Sequence, residues 1–288
     1  MRISTRMFQD SALRSIRGNL ETLASLQEQA TTGRRVRTVS DDPGAATQIM
    51  RSEAEARDFE RFRQSGIEAS TRLNTEDVVL TSARDLLKQA SGLAVGVAGR
   101  DPADPERQAM VAAIEQLRQE MVAYGNTRVG NEYIFGGAKS TVPPFQPDGT
   151  YVGDGVVRQV QIDTGVFMPT NHAGDSVFSG ALQGLADLEQ QLRTGTSATI
   201  DAAMNNLQTA GEQLVMAQSE TGTRLQQISA TSDSLALRTA NLLDQRDRLR
   251  DVDPAEAALK VVTAQSALER AYAAIGKVMS TNLLDYLG

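Results

Sequence analysis

The chain has 288 residues, a formal net charge of −7, no cysteine, no tryptophan and only 4% aromatic residues. The missing thiols exclude disulfides, thiolate metal sites and cysteine nucleophiles, and no part is basic enough for a nucleic-acid binder. Few aromatics beside 40% hydrophobic residues favour helix–helix seams of Leu, Ile, Val and Ala over a thick globular core.

Residues 1–45 carry seven arginines and five acids, and residues 254–288 carry three bases and three acids, so the acidity lies between the two ends. There is no run of about 18 apolar residues, so no membrane span is expected. The start of the chain lacks an apolar h-region and a cleavage signature, so no cleaved signal peptide is expected either.

The first predicted helix runs from about Gln9 to Thr32. Leu13, Ile16, Leu20 and Leu23 recur at steps of three and four, and Leu26 and Ala30 continue them, the pattern of a helix seam. Gly33 ends the helix, and Arg34, Arg35 and Arg37 follow in an irregular segment.

Ser40-Asp41-Asp42-Pro43 opens the next helix, with Asp42 as the cap and Pro43 at the first position. Phe59, Phe62, Ala69, Leu73, Leu80, Ala83, Leu87, Ala90, Ala94 and Val97 share one face, with Gly66 and Glu76 as its weak steps. At ~1.5 Å per residue, a helix from Pro43 to Ala98 spans roughly 80 Å and needs partners along its side. Asp104-Pro105 starts a third helix by the same device, with Met110, Ile114, Leu117, Met121 and Tyr124 on its apolar face. Gly125, Gly130 and Gly136-Gly137 break the pattern.

Composition then shifts. Pro143, Pro144, Pro147, Gly149, Gly153, Gly155 and Gly165 cluster, and residues 156–162 alternate as a strand would, with Tyr151, Val152, Val166 and Phe167 near other short runs. Helix resumes over Ala181–Leu192. After Thr194-Gly195-Thr196 a second long helix carries Ile200, Met204, Leu207, Leu214, Leu225, Ile228, Leu235, Leu242 and Leu249 in one register, with Gly211, Gln218 and Thr221 as weak steps. Asp253-Pro254-Ala255-Glu256 has capping-box spacing, and the final helix carries Val261, Leu268, Tyr272, Ile275 and Met279.

The predicted class is mainly α: an elongated helical bundle or coiled-coil rod of paired N- and C-terminal helices with a small β-rich inserted domain. Residues 1–42 and 254–288 are expected to be terminal assembly helices, 43–132 and 181–253 a helical rod, and 133–180 a β-rich outer domain. The expected assembly seam is Leu13, Ile16, Leu20 and Leu23 with Val261, Leu268, Tyr272, Ile275 and Met279. The expected helix caps are Asp42, Asp104 and Asp253.

This order of parts resembles the flagellin superfamily of bacterial flagellar axial proteins. The resemblance rests on Gly33-Arg34-Arg35-Val36 followed by Ser40-Asp41-Asp42-Pro43-Gly44-Ala45-Ala46, and on the opening Met1-Arg2-Ile3-Ser4-Thr5 with Phe8. It rests further on Gly130-Asn131-Glu132-Tyr133-Ile134-Phe135-Gly136-Gly137 before Pro143-Pro144-Phe145, on Asp253-Pro254-Ala255-Glu256-Ala257-Ala258, and on Leu284-Asp285-Tyr286-Leu287. Asp42-Pro43 and the chain end point to the hook–filament junction branch rather than to flagellin itself. The resemblance implies terminal helices that pair as an inner axial domain and pack between subunits, in a homo-oligomeric ring at the hook–filament junction. It implies a hook-side junction protein (hook-associated protein 1), flagellin and the filament cap as neighbours, type III export, and a cytosolic export chaperone. It implies no cofactor, no nucleic acid and no catalysis.

The other candidates are weak. His172, the only histidine, reads as a loop residue. Asp41 and Asp42 read as a cap before Pro43 rather than a metal pair. Gly153-Asp154-Gly155 reads as a turn, because no following helix supplies the lysine of a phosphate cradle. Arg34, Arg35 and Arg37 suit either an anionic partner or solvated loop charge. Flagellin is one rival reading. A secreted coiled-coil effector or enzyme is another, for which the sequence offers no clustered catalytic groups.

Overall fold

The computed structural model describes the backbone of residues 2–287 and the side chains of residue 7 and residues 10–277. In chain order the elements are α1 (Arg2–Thr32), α2 (Pro43–Val95), α3 (Pro105–Gly125), β1 (Arg128–Val129), β2 (Glu132–Tyr133), β3 (Gln159–Asp163), β4 (Val166–Pro169), α4 (Gly174–Thr194), α5 (Ser197–Arg250) and α6 (Pro254–Leu287). The strands form two antiparallel pairs, β1 with β2 and β3 with β4. The class is mainly α with a small sheet region. Two compact units result: Met1–Arg57 with Arg238–Gly288, and Asp58–Leu237.

The larger unit has a main core and a smaller cluster apart from it. Leu80, Ala83, Leu87, Ala90 and Ala94 of α2 meet Ile114, Leu117 and Met121 of α3, Leu185, Leu188 and Leu192 of α4, and Ile200, Leu207 and Leu214 of α5. Alanines at alternate turns of α2 and α5 let these long helices supply small steps between the leucines. Three of the seven phenylalanines gather at one end of the core. Phe135 and Phe178 meet edge-on with centroids 4.8 Å apart, and Phe145 stands 5.9 Å from Phe178. Tyr151 packs against Phe145 at 5.1 Å.

Segment 133–180 therefore contributes Ile134, Phe135, Phe145, Val177 and Phe178 to the same core as α3 and α4. The boundaries expected at 133 and 180 fall inside one packed body. A second, smaller cluster joins the hairpin to the helices: Ile162 of β3 and Met168 of β4 pack with Ala69 and Leu73 of α2 and Ile228 of α5.

Local signals and tertiary contacts divide the control of the helix ends. Asp104 caps α3, its Oδ1 accepting from Glu106 N at 2.8 Å. The start of α4 lies at Gly174, seven residues before the expected Ala181. Its N-cap residue is Ala173, which has no side-chain hydrogen bond to offer. Instead Gly174 N donates to Phe135 O at 3.1 Å, and a Cβ on Gly174 would lie 2.8 Å from that oxygen. The strand expected over 156–162 is found over Gln159–Asp163.

Candidate functional site

The smaller unit holds both terminal helices, and its geometry starts at a crossing of two chain segments. Gly33 ends α1 with a left-handed φ of 69°, and its N–H donates to Gln29 O at 2.8 Å, the helix-ending conformation that glycine adopts without strain. The chain then runs antiparallel to the end of α5. Arg35 N and Val36 N donate to Arg250 O, and Val252 N donates back to Gly33 O at 2.9 Å.

The charged motif locks this crossing. The Arg35 guanidinium donates to Leu249 O at 2.9 Å and to Asp42 Oδ2 at 3.0 Å. Asp42 Oδ1 accepts from Ala45 N at 2.9 Å, capping α2. Asp41 Oδ2 accepts from Arg37 N and Thr38 N, each at 2.9 Å. Arg37 pairs with Glu28. These bonds hold both aspartates below the usual carboxylate range: for Asp41 the Thr38 and Arg37 amides, for Asp42 the Ala45 amide and then Arg35. Val36, Ala45, Ala46 and Ile49 form a small apolar cluster beneath, with Leu249 against it. The two aspartates are thus a turn and a cap. Arg35 and Arg37 are structural ties rather than free loop charge.

From that crossing α1 runs back and α6 runs out, and the two helices pack on each other. Asp253 caps α6, its Oδ1 accepting from Ala255 N at 2.8 Å. The partly covered stripe on α6 is Ala257, Val261, Ala264, Leu268, Ala271 and Ile275, an unbroken alternation of four- and three-residue steps. On α1 it is Ala12, Ile16, Asn19, Leu23, Leu26 and Gln29. Among the described side chains of α1 none is buried, and on α6 only Ala257 and Leu268 are.

The expected seam therefore divides. Ile16, Leu23, Val261, Leu268 and Ile275 lie on the covered stripes. Leu13, Leu20 and Tyr272 are exposed, by 54%, 42% and 49%. They stand beside those stripes, as do Leu259 and Val262 on α6. Met279 lies outside the described side chains. The series read from Leu13 shares Ile16, Leu23 and Leu26 with the observed one and departs by one residue at its other members, because Ala12, Asn19 and Gln29 carry no strong apolar signal. Likewise Ala271, not Tyr272, completes the α6 stripe. Alanines, Asn19 and Gln29 complete the covered stripes between the larger apolar side chains.

Among the described residues no group of three or more His, Asp or Glu side chains is placed to hold a metal ion, and no helix is long and apolar enough to cross a membrane. What the terminal helices present is an apolar surface, with Leu13, Leu20, Leu259, Val262 and Tyr272 exposed.

Comparison with known proteins bears on the same helices. Residues 3–140 match the bacterial flagellin N-terminal helical region, and residues 196–287 match the bacterial flagellin C-terminal helical region. Flagellar hook-associated protein 3 of Escherichia coli K12 is 25% identical over 316 residues, covering 99% of each chain. The crystal structure of Bacillus cereus FlgL has a TM-score of 0.60 at 20% identity, covering 69% of this chain and 99% of that one. The flagellar junction protein FlgL from Legionella pneumophila has a TM-score of 0.55 at 16% identity, covering 69% and 99%. With both flagellin helical regions matched in order and the full length aligned to hook-associated protein 3, the chain belongs to the bacterial flagellin family, in its hook-associated protein 3 branch.

Proposed function

We propose that the chain is a structural subunit of the bacterial flagellum that joins hook to filament, assembles through the free faces of α1 and α6, and catalyses nothing. The observation that carries this is the one-sided seam. Two helices of 31 and 34 residues cover one stripe of each other and leave Leu13, Leu20, Leu259, Val262 and Tyr272 in solvent. Burying each such side chain is worth roughly 1.5–3 kcal/mol, so lateral packing against further helices stabilises the pair. Neighbouring copies in a ring supply those helices. The E. coli relative is a hook-associated protein and the L. pneumophila one a junction protein by name, which supports a place at the junction. There the ring contacts a hook-side protein, hook-associated protein 1, and on its other side flagellin or the filament cap. Before export a cytosolic chaperone shields the same apolar faces.

Immuno-electron microscopy of isolated flagella tests the reading. Label confined to the point where filament meets hook supports it. Label along the whole filament would replace it with a flagellin role, and absence from flagella would end it. Mass spectrometry of the flagellar protein is expected to find the N-terminal sequence intact, as export without a cleaved signal peptide requires.

A further inference from the structure

His172 is the only histidine of the chain, and it lies between β4 and α4. Its backbone N–H donates to Glu76 Oε1 at 3.2 Å, and its ring Nδ1 stands 2.5 Å from the same oxygen. Its Nε2 stands 3.0 Å from Glu220 Oε2. Glu76, on α2, is 1% exposed, and its Oε2 is buried with no hydrogen-bond partner. Glu220, on α5, is exposed and shares its Oε2 with Arg224 at 3.3 Å, while Arg224 also donates to Asn171 O at 3.3 Å. One imidazole thus touches two helices and belongs to a third segment.

Only the imidazolium can donate from both ring nitrogens at once. A neutral ring would turn a lone pair toward one of the two carboxylates. If that carboxylate were Glu76, it would be left buried with only a backbone amide as partner, which is costly. The charged groups facing the ring are Glu76 from α2 and Glu220 and Arg224 from α5. In the histidine's own segment the Asn171 amide supplies Arg158 N with an acceptor at 2.8 Å and donates to His172 O at 3.3 Å.

We propose that His172 is a proton-operated clamp that, when protonated on both nitrogens, fastens segment 156–173 to α2 and α5 and, on losing a proton, lets that segment loosen. The segment carries the β3–β4 hairpin, whose Ile162 and Met168 pack inward while Val166 and Phe167 face solvent. Loosening the clamp therefore changes how firmly an exposed apolar hairpin is presented. Burial favours the neutral ring, but the hydrogen bond and charge of Glu76, followed by Glu220, outweigh it and raise the pKa of His172 above its ordinary value. A raised folded-state pKa gives stability that is complete below the unfolded value of about 6.5 and is lost as pH rises through the folded value.

A lone histidine makes the test direct. The imidazole of the full-length chain is titrated by NMR, and amide hydrogen exchange is followed over the same pH range. We expect one titration with its midpoint above that of a free histidine. Over that step the protection of 156–173 should fall severalfold while that of 181–192 in α4 holds. E76Q should lower the midpoint and remove the pH dependence of exchange. If E76Q does not fold, E220Q, whose carboxylate is exposed, should lower the midpoint by less. A wild-type midpoint at or below the free value, or exchange in 156–173 indifferent to the titration, overturns the clamp.

Discussion

Arg107 Nε donates to Leu192 O at 2.8 Å from a side chain that is 1% exposed. The rest of the guanidinium goes to Gln191 O at 2.9 Å, Gly195 O at 2.6 Å and Arg100 O at 2.6 Å. Three of these four carbonyls sit at the C-terminal end of α4, where the last carbonyls lack helical partners and the helix dipole is negative. Buried Arg107 is a planar fork that finishes one helix from the first turn of another.

Replacing Arg107 with Met keeps bulk but takes the side-chain donor from Leu192 O, Gly195 O and Arg100 O, while Gln191 O keeps Gly195 N at 2.7 Å, and we expect a loss of roughly 2–3 kcal/mol. R107K should recover little of it, because a single ammonium cannot span the fork. Urea denaturation followed by far-UV circular dichroism measures both. A Lys variant as stable as the parent would show that charge alone suffices.

Gly125 and Gly174 both close on the Cε2 edge of the Phe145 ring. A Cβ on Gly125 would lie 2.6 Å from the ring and one on Gly174 3.0 Å. The backbone of Phe145 is fixed as well: Asn126 Nδ2 donates to its O and Asn126 Oδ1 accepts from its N, each at 2.9 Å. A methyl at Gly125 would force this anchored ring to shift, so G125A is expected to cost about 1–3 kcal/mol by overpacking. F145L in the same chain should return part of that. The helical Gly92, with nothing within 4 Å of its Cβ position, is the control. There G92A should be neutral or stabilise by up to about 1 kcal/mol. Equal thermal shifts for G125A and G92A would contradict the close contact.

Glu132 binds two arginines. Arg158 Nη1 donates to its Oε2 at 2.7 Å, and Arg72 pairs with the same oxygen. These contacts, Arg158 first and then Arg72, hold its pKa down from 4.5 to about 2. The sign follows from the depression: the stabilisation is complete above the unfolded value and is lost as pH falls from 4.5 through about 2. After allowance for solvent screening of this partly exposed group it amounts to about 1–2 kcal/mol. Acid unfolding of the parent should therefore steepen in that window, and E132Q should flatten it. Parallel acid profiles for the two proteins would mean the arginines do not discriminate the charged form.

Much of this was legible in the residues. The helix starts at Pro43, Pro105 and Pro254 follow from an aspartate before a proline, a signal that is wholly local. The seams of α2 and α5 follow from their spacing. The two weak steps of α2 were legible only as interruptions. Gly66 is the place where Ile228 Cγ2 comes within 3.3 Å of a Cβ position, and Glu76 is the buried partner of His172. Neither role could be read from α2, since each partner lies about 100 residues or more away. The early start of α4 was invisible for the same reason: its first N–H is satisfied by Phe135 rather than by a neighbouring side chain.

The last prediction separates the two faces of the terminal helices. Ile16 and Leu23 of α1 and Leu268 of α6 lie on the stripes along which these helices pair, whereas Leu13 and Leu20 lie beside them in solvent. An aspartate at Leu13 or Leu20 stays hydrated in the free chain. Its effect on monomer stability should be within about 0.5 kcal/mol, as for other surface changes. In the assembled flagellum that same charge would enter an apolar contact without a partner, at a cost that blocks packing. An aspartate at Ile16, Leu23 or Leu268 instead strikes the pairing within one chain, so helix content should fall before any assembly is attempted, because single helices of this kind are marginal in water. Circular dichroism of the purified chains measures the first effect, and motility with filament attachment measures the second. The expected pattern is normal helix content with lost filaments for L13D and L20D, and lost helix content for I16D, L23D and L268D. Normal filaments from L13D and L20D would show that the exposed leucines face no neighbour. Equal loss of helix content in all five would show that α1 uses both faces within one chain.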